Sequence, residues 1–128
     1  MTGINYREFL TRVRPSPEKS LVFGRKRDVG RNGFGRITTR HKGGGAKRLL
    51  RIVDFKFDKK NTPARVESVE YDPNRTGFIG LIIYKDGAKR YTLLPKGVRP
   101  GREILISREA PILPGNRLPL SELPPGTL

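Results

Sequence analysis

The chain has 128 residues, with 27 Lys or Arg against 12 Asp or Glu and a net charge of +15. Apolar residues make up 34%, below the roughly 45–50% of an ordinary globular domain, and 15 Gly with 11 Pro point to a small core carrying much loop. The absence of Cys excludes disulfide frameworks, iron–sulfur clusters and thiolate zinc sites, the single His cannot build a multi-histidine metal centre, and the apolar stretch around Leu81–Tyr84 is far short of the roughly 18 residues of a membrane span.

The N-terminal stretch MTGINYREFLTRVRP lacks the apolar region of a secretory signal and has too little amphipathic length for a mitochondrial presequence. Asn5–Arg14 permits a helical turn or two, ended by Pro15. The charge then concentrates. Gly24–Lys60 carries 13 basic and 3 acidic residues, net +10, together with seven Gly. Before Leu49 it has almost no apolar periodicity, and Phe34 and Ile37 stand isolated. Such a segment cannot bury enough apolar area to offset its ordering entropy alone, so it is expected to be a basic arm that becomes ordered on a partner. A tail that merely solubilises is the bland alternative. Three consecutive glycines between Lys42 and Lys47 argue against it, because glycine lets backbone N–H groups approach a phosphate.

From Leu49 the pattern changes to strands. Arg51–Phe57 alternates, with Val53, Phe55 and Phe57 on one face. Lys59–Pro63 is turn chemistry. Arg65–Tyr71 reads as a second strand, ended by Asp72-Pro73-Asn74. Phe78–Tyr84 is the most continuously apolar and is expected to be central. Asp86-Gly87 marks a hairpin leading to a strand over Lys89–Leu94. After a Pro/Gly loop, Glu103–Ser107 is a short fifth strand. Five strands in about 60 residues predict an all-β fold, a small five-stranded barrel of the oligonucleotide/oligosaccharide-binding (OB) type, with an SH3-like barrel as the alternative. Tyr71, Phe78, Tyr84 and Tyr91 read as barrel core in preference to a base-stacking platform. The expected organisation is a basic arm over 1–48, the barrel over 49–110, and a Pro-rich extended tail over 111–128.

Catalytic chemistry is hard to find. Gly45-Ala46-Lys47-Arg48 lacks the Walker A spacing and is followed by a strand where a helix is required. Glu67 and Glu70 are three apart in a strand and face opposite sides. Asp54 and Asp58 share a face only if their strand runs past Phe57. His41 sits in a basic Gly-rich loop and reads as a structural or RNA-contacting side chain rather than a base. No carboxylate cluster offers a metal site of the kind nucleases use. No enzyme activity and no cofactor are expected. A polyanion is the expected partner, nucleic acid before an anionic membrane, since no basic amphipathic helix supports the latter.

The strings GRITTRHKGGGAKR (Gly35–Arg48), RIVDFK (Arg51–Lys56), EYDPNR (Glu70–Arg75), DGAKRYTLLPKGV (Asp86–Val98) and PGNRLPLSELPPGTL (Pro114–Leu128) closely resemble, in order and spacing, the N-terminal half of the L-two family of large-subunit ribosomal proteins. The resemblance covers about Lys19 to Leu128. It implies an arm and an OB barrel attached to large-subunit rRNA near the subunit interface and the peptidyl-transferase region, with roles in rRNA folding, subunit assembly and translation. By the family motif the RNA-contacting residues are Arg31, Asn32, Arg36, Thr38, Thr39, Arg40, His41, Lys42, Gly43, Gly44, Gly45, Lys47 and Arg48, with Arg75 of EYDPNR added. The flanking cations Arg25, Lys26, Arg27 and Arg51 complete the candidate set.

Ala46 stands where the family commonly has His. Members also usually continue into a second, SH3-like barrel and a basic extension. The expectation is therefore RNA scaffolding rather than a share in the catalytic centre. Expected partners are large-subunit rRNA, neighbouring ribosomal proteins and, for a natural split chain, a separate polypeptide carrying the second barrel. The expected location is the large ribosomal subunit, in a mitochondrial matrix for a split chain and otherwise in bacterial cytoplasm. A free-standing RNA chaperone is the alternative function.

Overall fold

A computed structural model describes residues 17–24 and 29–126. The fold is all-β. After a 3-10 turn at Lys19–Leu21 come β1 (Val22–Gly24), β2 (Leu49–Arg51), β3 (Ala64–Glu70), β4 (Ile79–Tyr84), β5 (Lys89–Leu93) and β6 (Glu103–Ile104), with a second 3-10 turn at Leu120–Glu122. β1 and β2 form an antiparallel ribbon, and the other four make a sheet in the order β5-β4-β3-β6. The helical turn expected at Asn5–Arg14 lies outside the described residues.

The four-stranded sheet follows the sequence pattern closely, and its curl comes from a bulge. The β3–β4 register slips between Val66 and Ser68. The slip changes the alternation by one, so Val66 and Val69, three apart, enter the same core with Ile82, Tyr84, Val98 and Ile104. Ser68 and Glu70 turn to the opposite face. There Ile79, Leu81 and Tyr91 form a second cluster, covered by Leu21 and Val53. β4 feeds both clusters and has no exposed residue, as its continuous apolar run anticipates. Gly80, near its start, makes room for Leu94: a Cβ there would lie 2.5 Å from Leu94 Cδ1, so the leucine would have to shift. The β4–β5 hairpin closes at Asp86-Gly87. Gly87 takes φ +81°, and Ala88 N–H donates to Asp86 Oδ1 at 3.1 Å.

Two connections bend the sheet into a half-barrel of the OB type. Val53 bridges Tyr91 in parallel, and Asp54 N–H donates to the Tyr91 carbonyl at 2.8 Å. On the far edge, Ile106 bridges Arg117. The strand expected over Arg51–Phe57 is cut short by Asp54. Its Oδ1 accepts the N–H groups of Lys56 and Phe57, both at 3.0 Å, and Phe57 swings to φ +52°. This side-chain turn competes with the ladder and leaves Phe55 exposed.

The expected Pro-rich tail is likewise pinned in its middle. Asn116 Oδ1 accepts Leu105 N–H at 2.9 Å. The Arg117 guanidinium lies 3.7 Å over the Phe57 ring and donates to Thr92 Oγ1 at 2.6 Å and the Leu93 carbonyl at 2.9 Å.

Under the second cluster sits a buried polar chain. Tyr91 O–H donates to Glu70 Oε2 at 2.9 Å, Ser68 O–H to Glu70 Oε1 at 2.9 Å, and Glu18 N–H to the Tyr91 oxygen at 2.9 Å. Burial, reinforced by the Glu70 carboxylate, pushes the Tyr91 phenol up to about 12. Unfolding frees this proton near the ordinary phenol value of roughly 10. The contribution is therefore complete below about pH 10 and is lost as pH rises towards 12. Replacing Tyr91 by Phe leaves Glu70 and the Glu18 amide each short of a partner. It should cost about 1–3 kcal/mol in urea denaturation at neutral pH, and the loss relative to wild type should shrink between pH 10 and 12. An unchanged midpoint at neutral pH would show the chain contributes nothing.

Candidate nucleic-acid interface

The 24 residues between β1 and β2 form a loop anchored at both feet. Val22, Phe23 and Gly24 pair with Arg51, Leu50 and Leu49, and Ile52 N–H donates to the Leu21 carbonyl at 2.9 Å. The ladder places the two ends of the loop side by side on the edge of the half-barrel. Position 24 is thus paired backbone rather than the middle of a free tail. Three residues paired with a segment 27 positions away leave no periodicity to read.

Within the loop, Gly30–Thr39 folds on itself. Arg31 bridges Ile37 in antiparallel fashion, and Thr38 N–H donates to the Gly30 carbonyl at 2.7 Å. The Asn32 side chain closes the turn, accepting Phe34 N–H at 3.1 Å and Arg36 N–H at 2.9 Å. Gly30 takes φ +65°, and a Cβ there would lie 2.5 Å from the Thr39 carbonyl oxygen, so only glycine fits. His41 adopts φ 60° and is exposed.

Residues 31–49 are all exposed. Between Val29 and Arg51 stand six Arg or Lys and no Asp or Glu. Ion pairs among the described residues are made by Lys59, Arg75, Lys89 and Arg90, never by Arg31, Arg36, Arg40, Lys42, Lys47 or Arg48. Arg31 reaches only the Val29 carbonyl, at 3.3 Å. The expected contacts Thr38 and Thr39 lie on the same exposed strip, as do Gly43–Gly45. A Cβ would meet nothing within 4 Å at Gly43 and only Val29 Cγ1, at 3.8 Å, from Gly44. Neither glycine has a positive φ, so neither packing nor conformation within the chain demands them. Arg25, Lys26 and Arg27 lie outside the described residues.

Arg51 and Arg75 sit on the barrel beside this loop. Arg51 is half-buried, with one terminal N–H folded back to the Leu49 carbonyl at 3.0 Å. Arg75 is held rather than free. Its Nε donates to buried Asp72 at 2.6 Å, and its guanidinium lies 5.8 Å from the Phe55 ring. Asn74 ties the same turn to the arm, donating to the Leu49 carbonyl at 2.8 Å. The EYDPNR turn and the end of the Gly-rich loop, 25 residues apart, are thus fastened together.

Of the four aromatics expected in the core, Tyr84 and Tyr91 are buried and Phe78 packs against the first cluster. Tyr71 is exposed, one residue beyond β3. Two arginines that sequence reasoning passed over do internal work: Arg117, described above, and Arg90, which pairs with Asp54 at 2.5 Å and Asp58 at 3.4 Å. Nothing in the local pattern distinguishes them from surface cations. Among the described residues no group of three or more His, Cys, Asp or Glu could hold a metal ion, and no helix is long and apolar enough to cross a membrane.

Burial works against ionisation of Asp72. The Asn74 amide and Arg75 outweigh it and hold the carboxyl below its ordinary value. Its stabilising contribution is present above about pH 4 and fades as pH falls through the lowered folded value. Asp72→Ala should destabilise the barrel by about 1–3 kcal/mol at pH 7 and remove part of the acid limb of the stability profile. A wild-type urea midpoint at both pH 7 and pH 3 would show that the turn does not depend on this carboxylate.

Residues 18–106, covering the loop, the turn at Asp72–Arg75 and the four-stranded sheet, match the family model described as Ribosomal Proteins L2, RNA binding N-terminal domain. The match explains why cations with no ion-pair partner among the described residues, and glycines that no packing there demands, are displayed on a loop fastened to an OB-type half-barrel: the chain belongs to the ribosomal protein L2 family, a family of structural RNA-binding proteins, and carries its RNA-binding domain.

Proposed function

We propose that this protein is a constituent of the large ribosomal subunit that scaffolds rRNA through its anchored basic loop. The observation that carries the reading is the run of exposed Arg and Lys from Arg31 to Arg48, with no carboxylate among them and no ion pair made to the barrel. Six cations in this density repel one another and are stabilised by a ligand carrying closely spaced negative charge. Arg36 and Arg40 can take phosphates bidentately, whereas Lys42 and Lys47 act as point charges. Gly43 and Gly44 let the sugar–phosphate backbone approach the main chain. Arg75, aimed by Asp72 and tied to the foot of the loop through Asn74, supplies a contact from the barrel, with Arg51 beside it.

The division of labour is an arm over residues 1–48, a barrel over 49–110 that positions it, and a tail over 111–128 fastened at Asn116–Arg117. Arg25, Lys26 and Arg27 precede this run in the sequence and add three cations to the candidate RNA-binding set. Holding rRNA segments in place supports subunit assembly and hence translation, with neighbouring ribosomal proteins as further partners. Recovery of the particle from cytoplasmic or organelle fractions distinguishes bacterial cytoplasm from mitochondrial matrix.

Contact with about six to ten phosphates should weaken rRNA binding about 10³–10⁵-fold between 50 and 200 mM salt. Changing Arg40, Lys42, Lys47 and Arg48 together to Ala should flatten that dependence and abolish incorporation into the large subunit, while the denaturation midpoint of the barrel stays put. Normal incorporation of this variant would place the binding surface elsewhere. A wild-type protein that leaves the large subunit in a moderate salt wash would favour a free-standing RNA chaperone.

A further inference from the structure

Phe34 is 93% exposed, more than any other large apolar side chain among the described residues. It stands at the apex of the Gly30–Thr39 hairpin, and the hairpin does not need its ring. The turn is closed by the Asn32 side chain and by the Asn32 N–H bond to the Arg36 carbonyl at 3.0 Å. Phe34 contributes only its backbone N–H. On either side the tip is bare: a Cβ at Gly33 or Gly35 would meet no atom within 4 Å. Gly35 takes φ +79°, so the apex turns back sharply and presents the ring outward. Arg31 and Arg36 flank it at the base of the turn.

We propose that the Phe34 ring is a stacking platform for one unpaired rRNA base, presented by a prefolded hairpin whose cations hold the adjoining phosphates. The proposal rests on the RNA-binding reading of the loop and adds what that reading lacks, a contact to a base. The chemistry selects the ligand. An aromatic face with no hydrogen-bonding group recognises a nucleobase face and tolerates any sequence. Bases in a helix are already stacked, so the ring favours a bulge, loop or strand end over a duplex. Because Asn32 fixes the turn before binding, little ordering entropy is lost when the ring engages.

The test uses the full chain and purified large-subunit rRNA, with a fully paired RNA duplex as control. Phe34→Ala and Phe34→Leu should both weaken rRNA binding about 5- to 100-fold, the range expected for loss of one base–aromatic stack, without changing the salt dependence. Phe34→Trp should keep wild-type affinity. The protein has no Trp, so the introduced indole is a unique reporter, and rRNA should quench its emission while the duplex should not. If Phe34→Leu binds and assembles as wild type does, the ring serves an apolar protein pocket or nothing, and stacking is overturned. Equal quenching by the duplex overturns it as well. If Phe34→Ala is silent while the four-cation variant loses binding, stacking falls and the RNA-binding reading stands. If the wild-type chain shows no salt-dependent rRNA binding, both fall together.

Discussion

The pairing of Val22–Gly24 with Leu49–Arg51 is the constraint from which the rest of this molecule follows. Three residue pairs close a 24-residue loop. Closing a flexible loop of that length is entropically unfavourable, and a two-stranded ribbon alone does not repay it. Reinforcement comes from both sides. Leu21 covers the cluster of Ile79, Leu81 and Tyr91, while Asn74 holds the Leu49 carbonyl. The chain of Glu18, Tyr91, Glu70 and Ser68 fixes the approach to β1 from beneath. Core packing, buried polar satisfaction and loop presentation are thus one structure.

The ribbon also separates the charges. Carboxylates of the barrel are taken up locally: Asp54 and Asp58 by Arg90, Asp72 by Arg75, Asp86 by Lys59 and Glu18 by Lys89. Few of these pairs need contribute much to stability, since most are exposed to solvent. Their effect is to leave a barrel of modest net charge next to the stretch Arg31–Arg48, whose cations have no carboxylate among them and make no ion pair among the described residues. A carboxylate within Arg31–Arg48 would compete with any anionic ligand for these cations.

Strands β3, β4 and β5 were legible because each pairs with its neighbour in sequence, β3 by its alternation and β4 by its continuous apolar run. Asp86-Gly87 announced the hairpin between the last two. The bulge between Val66 and Ser68 was not legible, since the alternation of Glu67, Val69 and Tyr71 reads equally well unbroken and the slip appears only against β4. Asp54 read as a polar face of a strand, whereas its side chain captures the two following amides and ends it. Arg117 read as tail, because its ring and carbonyl partners lie 24 or more residues away. In the candidate site, the cations and glycines were plain from composition and family resemblance. The hairpin at Gly30–Thr39 was hidden because its turn is closed by one Asn side chain rather than by apolar alternation, and so Phe34 read as a stray aromatic.

A loop fastened at both feet differs from a free tail in one topological respect. It has no end to thread. A tail can reptate through a finished tunnel between RNA helices, whereas a closed loop enters only sideways, through a cleft open along its whole length. The two feet are held together by three residue pairs, so a ligand would have to meet the loop from its side rather than receive it end first. The short ladder between β1 and β2 thereby limits the directions from which the loop can be reached.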